Sequence, residues 1–270
     1  VVTNTSNGCT KSDDAVVNLN NTPPTAAIGS PALLTCTNTT VTLNGGSSTP
    51  SGTLNYAWST INGVIQSGQN SANAVVSEPG QYTLVVTNTA NGCTDDAVVS
   101  VSQDNSVPVA NAAVNGGLDC NTTQLTINGA GSSTGTNYTF AWTSTPGGFF
   151  VSGQNTLNPV INAPATYTLL VTNTTNQCTA TASVQVIQDV LAPVADAGPP
   201  STLTCAVKTL VLGNPNAPLA PNLTYAWTAV GGNIQSGANT PTPTINQPGT
   251  YNLVVTGANG CTSQATATVV

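Results

Sequence analysis

The chain has 270 residues, a formal net charge of −7, only 4% charged residues, and neither histidine nor methionine. Its two cations, Lys11 and Lys208, are isolated, which excludes nucleic acid and anionic membrane surfaces as partners because both require clustered Lys and Arg. Without histidine a Ser/His/Asp triad is impossible, so we expect no enzymatic activity, and we expect no membrane span because no apolar run reaches about 18 residues.

The first element is a fragment of a repeat. The opening VVTNTSNGC, which ends at Cys9, returns as VVTNTANGC ending at Cys93, as LVTNTTNQC ending at Cys178 and as VVTGANGC ending at Cys261. We therefore expect residues 1–22 to be the last two strands of an incomplete upstream repeat. The lack of an initial methionine agrees with a window on a longer chain. The alternative is a processed subunit whose opening strands dock on a neighbour.

Three full repeats follow, and we place them at 23–105, 106–190 and 191–270. Their tryptophans recur about every 84 residues, in phase with two cysteines per repeat. Proline-bearing linkers such as SVPVANA and LAPVADAG separate the repeats.

Within each repeat the chain order predicts a β-sandwich. A short strand ending in cysteine (ALLTC in the first repeat) precedes TTVTLNGG and then LNYAWST. A polar turn, a short strand and a proline-containing turn come next, followed by the long YTLVVTN strand, an Asn-Gly type turn with the second cysteine, and a last strand. About seven short strands separated by turn signals are typical of an antiparallel, immunoglobulin-like sandwich. The fold class is all-β, with the sandwiches in a linear array.

The cysteines are expected to pair inside each repeat, one disulfide apiece. The predicted bridges are Cys36–Cys93, Cys120–Cys178 and Cys205–Cys261, leaving Cys9 unpaired. Because the tyrosine is not two residues before the second cysteine, as it is in immunoglobulins, we expect the bridge near one end of the sandwich. Metal binding by these cysteines is disfavoured, since CxxC pairs and histidine are both lacking. Disulfides persist in oxidising surroundings, so we expect an extracellular protein, either secreted or at a cell surface.

Aromatic residues at fixed repeat positions are predicted to form the core. These are Trp58, Trp142, Trp227, Tyr82, Tyr167 and Tyr251. An exposed sugar-binding platform is the alternative, but a residue that recurs at one position in every repeat is typical of a core. Phe149 and Phe150 occur only in the middle repeat and are interpreted as a local packing variation, with a contact between chains as the alternative.

No cofactor is expected, and calcium is the only candidate metal. Hard cations bind clustered carboxylates, and several aspartates lie after the second cysteine or near repeat junctions. The candidates are Asp95, Asp96, Asp104, Asp189 and Asp196. The Asp-Asp pair is missing after Cys178 and Cys261, which favours solvated strand-end aspartates instead.

The segments VADAGPPSTLTC, LTYAWTAVGGNIQSG and PGTYNLVVTGANGC resemble PKD-type, immunoglobulin-like tandem repeats. Such repeats occur in very large bacterial surface proteins, including adhesins exported by the type IX route. The resemblance covers nearly the whole chain, although the DFGDG-like stretch of that family is replaced by STINGV, TSTPGG and TAVGGN, and the cysteine pair is added. It implies an extended stalk or filament at the cell surface and carries no catalytic residue across.

We therefore expect a structural extracellular protein whose partners are its own neighbouring repeats and, in a fibre, identical chains. The alternative is an adhesive module that recognises glycans or another surface through its loops. Recognition loops would carry aromatic and charged residues, whereas most of these loops are polar and alike.

Overall fold

The computed structural model describes residues 1–214 and 222–270, and within these ranges it is built of β-strands. The opening segment forms a two-stranded antiparallel hairpin, β1 (Val2–Thr3) and β2 (Thr10–Lys11). The first repeat contributes β3 (Leu34–Thr35), β4 (Val41–Asn44), β5 (Leu54–Thr60), β6 (Ile65–Ser67), β7 (Asn73–Val76), β8 (Gly80–Asn88), β9 (Thr94–Val101) and β10 (Gln103–Asp104). No helix in the described ranges is long and apolar enough to cross a membrane.

The second repeat reproduces this order, and the third reproduces it without strands equivalent to β3 and β10 among its described residues. The second has β11 (Leu118–Asp119), β12 (Leu125–Thr126), β13 (Tyr138–Ser144), β14 (Phe150–Ser152), β15 (Val160–Ile161), β16 (Ala165–Asn173), β17 (Thr179–Val186) and β18 (Gln188–Asp189). The third has β19 (Leu210–Val211), β20 (Thr224–Val230), β21 (Ile234–Ser236), β22 (Thr244–Ile245), β23 (Gly249–Thr256) and β24 (Thr262–Val269).

Each repeat contains two three-stranded antiparallel sheets. In the first repeat one sheet has the order β4-β7-β6 and the other β5-β8-β9. The short β3 then pairs in parallel with β10, Leu34 opposite Gln103 and Thr35 opposite Asp104. These sheets correspond to the BED and CFG sheets of an immunoglobulin sandwich. The chain is therefore a set of tandem immunoglobulin-like folds.

Alternation of side chains explains why these segments are strands. In β8 the side chains of Tyr82, Leu84 and Val86 are buried while the residues between them are partly exposed. A period of two places one set of side chains on the inner face of a sheet and the other towards solvent. The threonines and β-branched residues between them suit the outer face.

The core of each repeat is built around its tryptophan and tyrosine. Trp58 is 1% exposed, and its indole N–H donates to the carbonyl of Ser71 (3.0 Å). The Tyr82 hydroxyl donates to the carbonyl of Glu78 (2.7 Å) and accepts from the N–H of Val64 (3.0 Å). Burial raises the pKa of Tyr82, so the hydroxyl stays protonated and keeps these bonds.

The same arrangement recurs in the other repeats. Trp142 and Trp227 donate to Thr156 and Thr240, and the Tyr167 and Tyr251 hydroxyls donate to carbonyls four residues upstream. This is the tyrosine corner of immunoglobulin-like domains. All six aromatic residues predicted for the core lie buried in it.

The chain forms two compact units. One comprises Val1–Ser106 with Thr175–Cys178, and the other comprises Val107–Thr174 with Thr179–Val270. The division between the two units passes through the second repeat, because the turn at 175–178 packs with the first repeat. The repeat bounds at 22, 105 and 190 stay a prediction.

Removing the hydroxyl of Tyr82 should weaken the first repeat locally. Tyr82→Phe leaves a buried carbonyl and N–H without their partner, so we expect a loss of about 1–2 kcal/mol. Hydrogen exchange of the Gly80–Asn88 amides measures this directly. The matched control is Tyr56→Phe, on the neighbouring strand β5, for which we expect less than about 0.5 kcal/mol. Equal effects of the two substitutions would contradict the role of the corner.

Candidate functional site: the cystine junctions

The two disulfides connect consecutive repeats. Cys36 is bonded to Cys178 with a Cα–Cα distance of 5.1 Å, and Cys120 to Cys261 with a distance of 5.0 Å. In both, the first cysteine of one repeat meets the second cysteine of the following repeat. The remaining cysteines, Cys9, Cys93 and Cys205, are free thiols.

The predicted pairing inside each repeat is therefore wrong. Cys36–Cys93, Cys120–Cys178 and Cys205–Cys261 do not form, each repeat does not carry its own disulfide, and Cys93 and Cys205 are not bonded in the chain. The expectation that the bridge lies near one end of a single sandwich is wrong as well, since each bridge joins the loop after a short strand of one repeat to the final hairpin of another. The hairpin belongs to the next repeat.

Strand directions give the physical reason. Cys93 lies in the turn from which β9 starts, and β9 leads through β10 to Asp104, which pairs with Thr35 just before Cys36. At about 3.3 Å per residue the two cysteines of one repeat are some 30 Å apart, at opposite ends of the sandwich. A disulfide requires Cα atoms within about 7 Å.

The first cysteine of each repeat sits in a tight loop. We call the three segments Thr35–Asn38, Asp119–Thr122 and Thr204–Val207 the cysteine loops. In each, the N–H of the first residue donates to the carbonyl of the last, at 2.9, 3.0 and 3.0 Å. The side-chain oxygen of that first residue accepts the N–H of the last in return, at 3.0, 2.5 and 3.0 Å. The cysteine is thus held in the middle of a closed four-residue loop.

The second cysteine of each repeat ends a turn of sequence Asn-x-Cys. We call the segments 88–93, 173–178 and 257–261 the cysteine turns. The asparagine Oδ1 accepts the cysteine N–H in every copy, at 2.9 Å for Asn91, 3.0 Å for Asn176 and 3.1 Å for Asn259. The intervening residue has a positive φ, 74° at Gly92 and 72° at Gly260, while Gln177 adopts 59° without being glycine.

The same asparagine ties the turn to the preceding linker. The Nδ2 of Asn176 donates to the carbonyl of Ser106 (3.0 Å). That of Asn259 donates to the carbonyl of Leu191 (2.9 Å) and to Oδ1 of Asp189 (3.0 Å). One side chain therefore fixes both the cysteine backbone and the connection between two repeats.

Loop, turn and linker meet at the bridge. In the junction at Cys120, the N–H of that cysteine donates to the carbonyl of Asn259 (3.1 Å), and Gly260 lies so near the Asn121 side chain that a Cβ would collide with it. Cys178 and Cys261 are buried, 0% and 2% exposed. The second cysteine is thus covered by the incoming loop.

The aspartates considered for calcium serve these turns and linkers. Asp95 accepts the N–H of Ala26, and Asp104, Asp189 and Asp196 each accept the N–H two residues onward. Asp96 is exposed on β9. Among the described residues, no group of three or more His, Cys, Asp or Glu side chains comes together.

Hydrogen bonds from backbone N–H groups lower two carboxyl pKa values at the junctions. Ser106, whose carbonyl also binds Asn176, holds the pKa of Asp104 below its ordinary value. Thr122 does the same for Asp119 in the cysteine loop. Both hydrogen bonds stabilise the ionised form of the carboxylate. Their contribution to folding stability is therefore present at neutral pH and is lost as the pH falls through the lowered pKa values.

Two other features of the middle repeat are set apart from the junctions. Phe150 packs edge-on against Tyr167, with ring centroids 5.2 Å apart, whereas Phe149 is 59% exposed. A shallow cavity of about 300 Å³ has an amide and apolar lining. It is bounded by Ala113, Val114, Asn115, Thr126, Asn128 and Asn158.

Comparison with known proteins shows that the chain is similar to solved structures of tandem domains. No protein-family model and no curated protein matches the chain. Three N-terminal domains of the bacteriophage RB49 outer capsid protein Hoc are 12% identical over 91% of this chain and 98% of theirs, with a TM-score of 0.35. An I-band fragment of titin is 14% identical over 92% of this chain and 98% of that fragment, with a TM-score of 0.39. The N-terminal eight immunoglobulin domains of Down syndrome cell adhesion molecule are 11% identical over 92% and 36%, with a TM-score of 0.42. All three scores are below 0.5, so the fold assignment rests on the strand order described above.

Truncating Asn259 should open one junction selectively. Asn259→Ala removes the oxygen that accepts the Cys261 N–H and the amide group that donates to the linker. We expect the local stability of the turn to fall by about 1.4 kcal/mol, so that the turn opens about tenfold more often. The measurement is the rate at which dithiothreitol reduces Cys120–Cys261, with Cys36–Cys178 in the same molecule as the control. Asn259→Asp keeps the acceptor and should give a smaller effect. An unchanged ratio of the two rates would contradict the role of Asn259.

Proposed function

We propose that this chain is a structural extracellular protein, a stalk or filament in which each repeat is covalently joined to the next. The observation that supports this role is the pattern of disulfides between consecutive repeats. A disulfide within a domain stabilises that domain. A disulfide between two domains instead transmits tension directly from one domain to the other, without passing through the backbone between the two cysteines. The two bridges join cysteines 142 and 141 residues apart, and a loop of that length stabilises the folded chain by about 5 kcal/mol on the chain-entropy model.

The two bridges overlap along the chain. Cys120 lies between Cys36 and Cys178, and Cys178 lies between Cys120 and Cys261. The shortest covalent route from residue 1 to residue 270 therefore crosses at Cys36, returns from Cys178 to Cys120 and crosses again to Cys261. That route contains only about 105 residues of extended chain, so tension can unravel little of the molecule.

An extracellular place is the setting in which such bridges persist, since cytosolic reductants keep thiols reduced. A cell surface is favoured by the likeness of the repeats to PKD-type modules of bacterial surface proteins, including adhesins exported by the type IX route. We propose no enzymatic role, since the junctions are built from backbone groups, amides, hydroxyls and cystines.

An adhesive module is the second candidate. The exposed Phe149, together with Ile61 at 79% and Val230 at 66% exposure, gives each repeat one apolar side chain within or beside the loop that follows its tryptophan strand. A glycan array with the intact chain tests this role. Binding that Phe149→Ser abolishes would favour adhesion, and a blank array would favour the structural role.

Stretching single molecules from residue 1 to residue 270 tests the load-bearing role. At about 3.4 Å per residue, the fully extended length should be about 350 Å with both bridges and about 920 Å after reduction. A Cys36→Ser/Cys178→Ser double variant should reach only about 430 Å, because Cys120–Cys261 still bypasses most of the chain.

The matched control for that experiment is Cys9→Ser, which removes a free thiol and should leave the length unchanged. Extension of the unreduced chain to the reduced length would overturn the proposed role.

A further inference from the structure

The middle repeat has a cavity beside the β12-β15-β14 sheet, and we call it the amide cavity. Its volume of about 300 Å³ is at the lower end of the range for small-molecule sites. It is lined by Ala113, Val114, Asn115, Thr126, Asn128 and Asn158. None of these residues is charged, and half of them carry a side-chain amide.

Backbone pairing brings the three amides together on the outer face of the sandwich. Ile127 is 0% exposed in the core, so the next residue, Asn128, has its side chain on the solvent side. Asn128 exchanges both backbone hydrogen bonds with Ala113, at 2.8 Å each, which places the segment after Ala113 beside it. Ile127 donates its N–H to the carbonyl of Pro159 (3.1 Å), which brings the residue before that proline alongside as well. The amides that converge in this way, from three separate segments, are those of Asn115, Asn128 and Asn158.

Two of the amides are oriented by backbone N–H groups. Oδ1 of Asn128 accepts the N–H of Ala130 (2.6 Å), and Oδ1 of Asn158 accepts the N–H of Gly129 (3.4 Å). Within residues 1–214 and 222–270 neither Nδ2 donates to a protein group, so both NH2 groups are available to a ligand. The Asn115 side chain makes no hydrogen bond in the same ranges, so it can both donate and accept.

These groups suit a neutral ligand that carries several hydroxyl groups. Each Nδ2 can donate to a hydroxyl oxygen, while Oδ1 of Asn115 and the hydroxyl of Thr126 can accept a hydroxyl hydrogen. Ala113 and Val114 supply apolar surface for the C–H groups of a sugar ring. A charged ligand would lose hydration without gaining a counter-charge, because no lining residue is charged.

The other two repeats carry only part of this set. Five residues before its first cysteine, the first repeat has Pro31 and the third has Pro200, where the middle repeat has Asn115. The third repeat also lacks the other two amides, since Gly213 and Thr242 occupy their places. Among the described residues, the complete set therefore occurs in the middle repeat alone.

We propose that the amide cavity binds one pyranose unit of a neutral glycan, whose hydroxyl groups are held by the three asparagines. The site lies on a sheet face and does not include Phe149, the exposed side chain of the adhesive candidate. It goes beyond the load-bearing role, which does not depend on it. Because the cavity is shallow and offers few hydrogen bonds, a single unit should bind with a Kd on the order of 1 mM.

An NMR titration of the isotope-labelled full chain tests the site. The probes are the methyl glycosides of glucose, galactose, mannose and N-acetylglucosamine. We expect at least one probe to shift the side-chain NH2 signals of Asn115, Asn128 and Asn158 together. Asn115→Ala should weaken that binding about fivefold, the loss expected for one hydrogen bond. The matched control is Asn73→Ala, an exposed asparagine of the first repeat, which should leave the affinity unchanged.

Several results would overturn the proposal. They are four probes that leave the three NH2 signals in place, an affinity that Asn115→Ala does not change, and an affinity that falls with Phe149→Ser instead, which would assign the binding to the loop. Shifts produced by a trialanine peptide and by none of the glycosides would assign the cavity to a peptide.

The backbone signals of each variant report whether it is folded. If Asn115→Ala alters them throughout the repeat, Asn158→Ala takes its place with the same expected loss. None of these outcomes bears on the disulfides between repeats, so the load-bearing role is tested separately by the stretching experiment.

Discussion

A disulfide can form only where two Cα atoms come within about 7 Å, and this constraint decides how the repeats are connected. The parallel pairing of β3 with β10 places the first cysteine at the end of the sandwich where the chain leaves for the next repeat. The second cysteine lies at the other end, in the turn beside the linker that arrives from the previous repeat. Geometry therefore favours bonds from one repeat to the next over bonds within a repeat.

The packed interior of each sandwich keeps the domain stable without a disulfide inside it. Immunoglobulin domains commonly carry a core disulfide between strands B and F. Here the corresponding strands β4 and β8 present Leu43 and Leu84, both buried against Trp58 and Tyr82. Apolar packing and the tyrosine corner hold the two sheets together. The cysteines are therefore not needed in the core and can form bonds at the ends of the sandwich.

Sequence reasoning recovered the fold because its signals are local and repeated. Alternating side chains predicted the strands, and aromatic residues at fixed repeat positions predicted the core. The bonding partner of each cysteine could not be predicted in this way. A strict repeat places a first and a second cysteine at the same positions in every unit, so the sequence does not show whether a cysteine bonds within its own repeat or to another repeat. The pairing depends on the parallel register of two-residue strands, which carries almost no sequence signal. Asn91, Asn176 and Asn259 did carry one, as the recurring Asn-x-Cys, but it was interpreted only as a turn and not as an anchor for the linker.

The overlap of the two covalent rings has a consequence for damage outside the cell. A backbone cut between Cys36 and Cys178 leaves its two fragments held by the first bridge, and a cut between Cys120 and Cys261 leaves them held by the second. The two spans together run without a gap from Cys36 to Cys261. A single proteolytic nick at any peptide bond in that span would therefore leave the molecule in one piece.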